Sequence, residues 1–191
     1  LPYALKKSKL TKIIHDLSCD NIIKINKRIN KNIVLISTYN KNGRENKKIE
    51  TAINNKLKPF NLEIKKKFTS EHNLNQLINT IKSCLKINNI GLILIYGSNS
   101  ITDFDDVLPK SIKILKGKII SYLSPTDPGN LSLVAKLKDV NILGVPGCAT
   151  SPLRNGFDPI IERLCHNVNI DKTIIAELAI GGLYKNIIQK K

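Results

Sequence analysis

At 191 residues, 41% of them hydrophobic, the chain is long enough for one domain around its own core, which excludes a disordered protein. No apolar run approaches the roughly 18 residues that a membrane-spanning helix needs. The 31 basic and 15 acidic residues leave a net charge of +16, but only four are Arg, the side chain that grips bases and phosphates bidentately, so most of the charge reads as a solvated lysine face.

That charge is unevenly spread. Residues 1–67 hold 17 Lys/Arg against 5 Asp/Glu, whereas residues 68–191 hold 14 against 10. The chain contains no Met and begins Leu1-Pro2-Tyr3, as expected of the edge of a longer protein or of a processed start. Cys19, Cys84, Cys148 and Cys165 lie far apart with no C-x-x-C pair, which disfavours a zinc site. With no secretion signal, they predict a reducing, cytoplasmic setting.

In chain order, Leu10, Ile13, Ile14 and Leu17 follow helical spacing within a Lys-rich segment, 1–30, that reads as the tail of a preceding region. The main domain is expected over 31–191. Residues 33–38 form an apolar run of β-formers, typical of a strand buried on both faces. Ile49, Ala52, Ile53 and Leu57 give a helix that ends before Pro59, and 62–68 alternates as an edge strand does. Leu74, Leu77, Ile78, Ile81 and Leu85 mark the clearest amphipathic helix. A second buried strand follows at 91–96, a helix at about 106–115 and a strand at 117–123. Two short apolar segments, 131–137 and 140–145, joined by Lys138-Asp139, suit a hairpin, although Lys-Asp is not a favoured type I′ pair. Helices are expected at 157–166 and 171–180, the last stopped by Gly181-Gly182. Strands alternating with helices predict a three-layer α/β/α sandwich with a mostly parallel sheet plus a β-hairpin.

In such a sheet ligands bind beyond the carboxyl ends of the strands, near the point where strand order reverses, and the polar loops 37–45, 97–106 and 124–130 fall at such ends, with 146–156 placed to join them. Loop 97–106 (Gly97-Ser98-Asn99-Ser100-Ile101-Thr102-Asp103-Phe104-Asp105-Asp106) combines a small-residue turn, suited to an anion, with three carboxylates. Carboxylates beside a phosphate make sense when a cation such as Mg²⁺ bridges them; alternatively Asp105 or Asp106 simply caps the next helix. Loop 124–130 carries Asp127, Pro128, Gly129 and Asn130, a rigid turn. Loop 146–156 places Pro146, Gly147, Cys148 and Ser151 before a helix start, again suited to an anion. Cys148 invites a nucleophile reading, but no histidine lies near it in sequence, and a small buried residue is the simpler role.

Taken together, 97–109, Asp127-Pro128-Gly129-Asn130-Leu131 and Val145-Pro146-Gly147-Cys148-Ala149-Thr150-Ser151-Pro152 with Asn155-Gly156-Phe157-Asp158 resemble the molybdopterin-binding domain of molybdenum-cofactor biosynthesis proteins, the MogA and MoeA type. The likeness covers about residues 31–185 and implies the same sandwich. It implies molybdopterin, free or adenylylated, as ligand, with molybdate insertion as the supported transferase reaction and Mg²⁺ as the metal. By position, Asp106 resembles the acidic residue of the MogA-type loop, and Asp103 and Asp105 the acids of the MoeA type. Asp103 and Asp106 are thereby implied as catalytic and metal-holding. Gly97, Ser98, Asn99, Ser100, Asp127, Gly129, Asn130, Pro146, Gly147, Cys148 and Ser151 are implied as pterin-binding. The chain departs from the pattern at Gly97-Ser98, where Gly-Gly is usual. It also lacks an acid directly after the first strand, where Glu45 is the nearest carboxylate and Asn46 stands where Asp is common. A homo-oligomer is expected.

Three rival readings stand beside this one. The domain could be a non-catalytic module handing the pterin to a nucleotidyltransferase partner, or a nicotinamide-nucleotide-processing relative of the same fold. The lysines of 1–67 could bind nucleic acid, but no aromatic series interleaves with them, which counts against it.

Overall fold

The computed structural model describes residues 7–18, 26–40, 48–99 and 101–184. Cys19, Ser100 and most of the first loop, including Glu45 and Asn46, lie outside the described residues. The elements in chain order are α1 (Lys7–Ser18), β1 (Asn32–Tyr39), α2 (Lys48–Leu57), β2 (Ile64–Glu71), α3 (Leu74–Leu85), β3 (Ile90–Tyr96) and α4 (Val107–Ile114). They continue with β4 (Lys118–Tyr122), β5 (Leu133–Leu137), β6 (Val140–Val145), α5 (Phe157–Cys165) and α6 (Lys172–Glu177).

The two continuous apolar runs are two interior strands of the sheet. β1 is buried from Ile33 to Thr38 and β3 from Ile90 to Ile95, so neither has a face left for water. Their odd and even side chains feed separate cores. Leu35, Leu92 and Leu94 pack with Ile49, Ile53 and Leu57 of α2 and with Phe157 and Ile161 of α5. Val34, Ile36, Ile93 and Ile95 pack with Leu77 and Ile81 of α3 and Leu108 and Ile112 of α4. The result is the expected α/β/α sandwich. Ile29, upstream of β1, is buried in the α2/α5 core, and its N–H donates to the Cys165 carbonyl at 2.9 Å.

The six strands lie in the order β2-β1-β3-β6-β5-β4. β1 pairs parallel with β2 and β3, and β3 pairs parallel with β6. The alternation of strands and helices would add β4 to this parallel set; instead β4 sits at the far edge, antiparallel to β5, which is antiparallel to β6. The reason is the hairpin: β5 and β6 are joined by two residues and must be neighbours, and β6 holds the place beside β3. Lys138 makes that tight turn at φ 54°, so the unfavoured Lys-Asp pair forms the hairpin with one residue in the left-handed region. Two successive antiparallel pairings restore direction, so the carboxyl ends of β1, β2, β3, β4 and β6 all open on one rim. Strand order reverses between β1 and β3, which places the switch point there.

Because Leu94 is fully buried at the middle of the sheet, Leu94→Ala is expected to lower the unfolding free energy by about 3 kcal/mol in urea denaturation.

Candidate functional site

At the switch point the ends of β1 and β3 are tied by side chains. The Ser98 N–H donates to Thr38 Oγ1 at 2.9 Å, and Thr38 Oγ1 lies 2.8 Å from His72 Nδ1. Ser98 Oγ donates to Asn40 Oδ1 at 3.0 Å, and Asn40 Nδ2 donates to Asn99 Oδ1 at 3.2 Å. A Cβ on Gly97 would stand 2.6 Å from the Asn99 carbonyl oxygen, so the tight turn needs glycine there. Thr38, His72, Gly97, Asn99 and Asp106 line one small recess.

Asp106 organises the loop between β3 and α4. It occupies the cap position of α4, but its side chain makes no cap hydrogen bond. The third helical residue is Pro109, which has no N–H to offer. Asp106 Oδ2 turns back and accepts from the backbone N–H groups of Thr102 (2.7 Å) and Asp103 (2.9 Å). Asp103 Oδ1 accepts from Asp105 N–H at 2.8 Å. Capping of α4 by an aspartate side chain, the simplest sequence account of these acids, is therefore not what they do.

The loop's own bonds use Asp106 Oδ2 and Asp103 Oδ1, leaving the second oxygen of each carboxylate for a hard cation. Among the described residues no three His, Cys, Asp or Glu side chains gather as a metal centre. A cation held here would take most of its ligands from water and from a bound phosphate.

Loops 124–130 and 146–156 form a second assembly, on the α2/α5 side. Gly129, at φ 126°, lies against Gly156: a Cβ on Gly129 would stand 2.6 Å from the Gly156 Cα, and one on Gly156 would collide with Thr126 Oγ1. The Gly156 N–H donates to the Pro128 carbonyl at 2.8 Å, and Asp127 N–H to that of Gly182. Asn155 is the clamp of the longer loop. Its Nδ2 donates to the carbonyls of Cys148 and Leu153, both at 3.0 Å, and its Oδ1 accepts from Phe157 N–H at 3.1 Å and from Cys148 Sγ at 3.4 Å. Asp158 holds this clamp: Oδ2 accepts from Asn155 N–H at 2.7 Å, and Oδ1 pairs with Lys56 Nζ of α2 at 2.7 Å. Burial raises the Cys148 thiol, and the Asp158 carboxylate raises it further. The nucleophile reading of Cys148 is therefore disfavoured, since a thiolate is what would attack.

Of the residues anticipated from sequence, Gly97, Ser98, Asn99, Asp103 and Asp106 come together at the switch point. Asp127, Gly129, Asn130, Pro146, Gly147 and Cys148 belong to the second assembly, and Ser151 lines a cleft against Thr51 and Asn55 of α2. No hydrogen bond among the described residues joins the two assemblies; they share the rim. Two residues escape the sequence reading: His72, which directly follows β2, and Tyr122, at the end of β4, while Thr38 lies in the stretch 37–45 that the sequence places at the carboxyl end of the first strand, with no role of its own. Tyr122 stacks on Phe104 (centroids 3.9 Å, 28°), and its buried hydroxyl has no partner among the described residues. Desolvation raises that phenol, as do the carboxylates of Asp106 and Asp103. No motif marks His72 or Tyr122, because each is brought to the rim by strand length alone.

Compared with known proteins, the sequence matches no family model and no curated protein. Solved structures do match. One is the molybdopterin biosynthesis MoeA protein from Pyrococcus horikosii, at TM-score 0.54 and 19% identity, covering 72% of this chain and 35% of that one. The chain thus spans about a third of that protein's length. Another is molybdenum cofactor biosynthesis protein B, at TM-score 0.50 and 14% identity, covering 72% of this chain and 96% of that one. The chain shares the fold of these molybdenum-cofactor proteins. The α/β/α sandwich that the three-loop resemblance implied is the fold of both structures. No described helix is long and apolar enough to cross a membrane.

Two outcomes follow for this rim. Removing one partner of the largely buried Lys56–Asp158 pair strands the other, so Asp158→Ala is expected to cost about 3 kcal/mol in urea denaturation, and Lys56→Met with Asp158→Leu together much less. Burial lowers the His72 imidazole from its ordinary 6.5, against the opposing pull of Asp106. The unfolded chain then binds this proton more readily, so stability contributed by neutral His72 is complete above the unfolded value and is lost as pH falls through it. Wild-type protein is expected to lose more stability than His72→Gln between about pH 7.5 and pH 5.5 in parallel denaturant titrations.

Proposed function

We propose that the chain binds a molybdopterin-type pterin phosphate at this rim and serves molybdenum-cofactor biosynthesis in the molybdate-insertion step. The observation that carries the reading is Asp106, whose carboxylate folds back onto the amides of Thr102 and Asp103 and holds the loop after β3 in shape at the switch point. The shared fold supports it, since both matched structures are named for this biosynthesis.

In this reading the rim positions and neutralises. Gly97 and Asn99 present their backbone N–H groups to the anion, while Ser98 gives its N–H to Thr38 and its hydroxyl to Asn40 and so fixes the turn. Residues 146–151, clamped by Asn155, and the turn at Asp127, Gly129 and Asn130 close the opposite side of the rim. A bound Mg²⁺ would supply charge neutralisation between the ligand phosphate and the carboxylates of Asp103 and Asp106. Thr38 Oγ1 accepts from Ser98 N–H while held at hydrogen-bond distance from His72 Nδ1, so the turn is set before ligand arrives.

The test is purification from a molybdopterin-producing host, followed by oxidation of bound pterin to its fluorescent product. Wild-type protein is expected to carry the pterin, and Asp106→Asn to carry at least about tenfold less with an unchanged unfolding transition. Protein that carries no pterin, or a full load in Asp106→Asn, refutes the reading. Pterin retained without molybdate turnover assigns the chain the carrier role, passing the ligand to a nucleotidyltransferase.

A further inference from the structure

The amino ends of the strands form the opposite rim, and its chemistry is the reverse of the acidic loops above. Arg28, Lys31, Lys58 and Lys65 line a cavity of about 410 Å³ with a single carboxylate, Glu63. That volume is within the usual range for small-molecule sites. The cavity gathers part of the lysine excess of residues 1–67 in one place.

Its walls are braced. Arg28 Nη1 donates to the carbonyls of Phe60 (3.2 Å) and Asn61 (2.7 Å), which fixes the guanidinium across the mouth of β2. Asn32 N–H donates to the Asn89 carbonyl at 2.7 Å, Asn32 Nδ2 to that of Asn88 and Asn89 Nδ2 to that of Asn30, both at 2.9 Å. The stem of Lys31 lies across Gly91, where a Cβ would stand 2.6 Å from Lys31 Cβ. Glu63 is taken by Lys65 at 2.8 Å. Among the described residues Arg28, Lys31 and Lys58, which line this one cavity, pair with no carboxylate.

We propose that this cavity is a binding site for a linear oligophosphate, free or as the tail of a nucleotide. Three exposed cations lining one cavity suit a ligand with several charges on adjacent groups better than an acidic peptide, with its one carboxylate per residue. No aromatic ring lines the cavity, so a nucleobase has nothing to stack on and the phosphate tail alone is recognised. The proposal is independent of the pterin reading, which concerns the other rim.

Calorimetric titration of the full chain with tripolyphosphate, ATP and AMP tests it. Tripolyphosphate and ATP are expected to bind with similar affinity and AMP at least about tenfold more weakly, because the site reads charge and not base. Lys31→Gln with Lys58→Gln is expected to weaken tripolyphosphate by about tenfold or more; it spares the Arg28 hydrogen bonds, and its thermal midpoint reports that the fold is intact. Pterin retention should be unchanged in that double variant, and tripolyphosphate binding unchanged in Asp106→Asn. Equal binding by the double variant, equal binding of AMP and ATP, loss of binding in Asp106→Asn, or binding of oligonucleotide alone would each overturn the proposal.

Discussion

Everything in this molecule follows from two strands that have no face to give to water. β1 and β3 are apolar on both sides, so each needs a helical layer above and below, and they pair parallel in the interior of the sheet. Parallel pairing sends every connection back across a face and gathers the carboxyl ends at one edge of the sheet. Polar, glycine-bearing loops collect there because nothing in the core can accommodate them. The amino ends, with basic side chains around them, are left to the other edge.

At the carboxyl edge the backbone satisfies itself with side chains drawn from several elements. Asp106 cannot bond to the third residue of its helix, because that residue is Pro109, and so it secures the preceding loop instead. Asp158 similarly faces away from solvent towards Asn155 and Lys56. In both cases a carboxylate at a helix start shapes a loop, which is an economical way to hold an irregular backbone rigid beside a water-filled edge.

Much of the architecture was legible in the sequence because burial leaves a periodic trace. The apolar runs at 33–38 and 91–96, the i, i+4, i+8 spacing of Ile49, Ile53 and Leu57, and the stripe through Leu77 and Ile81 each correspond to an observed element. The final helix is shorter than its pattern, ending at Glu177, with turns carrying the chain to Gly181 at φ 71°. The place of β4 was not legible, since sheet order depends on which strand wins the position beside β3, a competition between distant segments. The loops announced their composition but not their partners. That Asp106 would bond backwards needed the recognition that Pro109 stands at the third helical position. That Thr38, His72 and Tyr122 would meet the loops needed the strand register itself.

The packing of Gly129 on Gly156 has a mechanical consequence. Two segments far apart along the chain touch backbone to backbone and share a hydrogen bond from Gly156 to Pro128, with no side chain between them to act as a cushion. They behave as one plate: a shift of either is handed directly to its neighbour, and through Asn155 to the stretch around Cys148. A molecule pressing on one part of this plate would therefore be felt across its whole width.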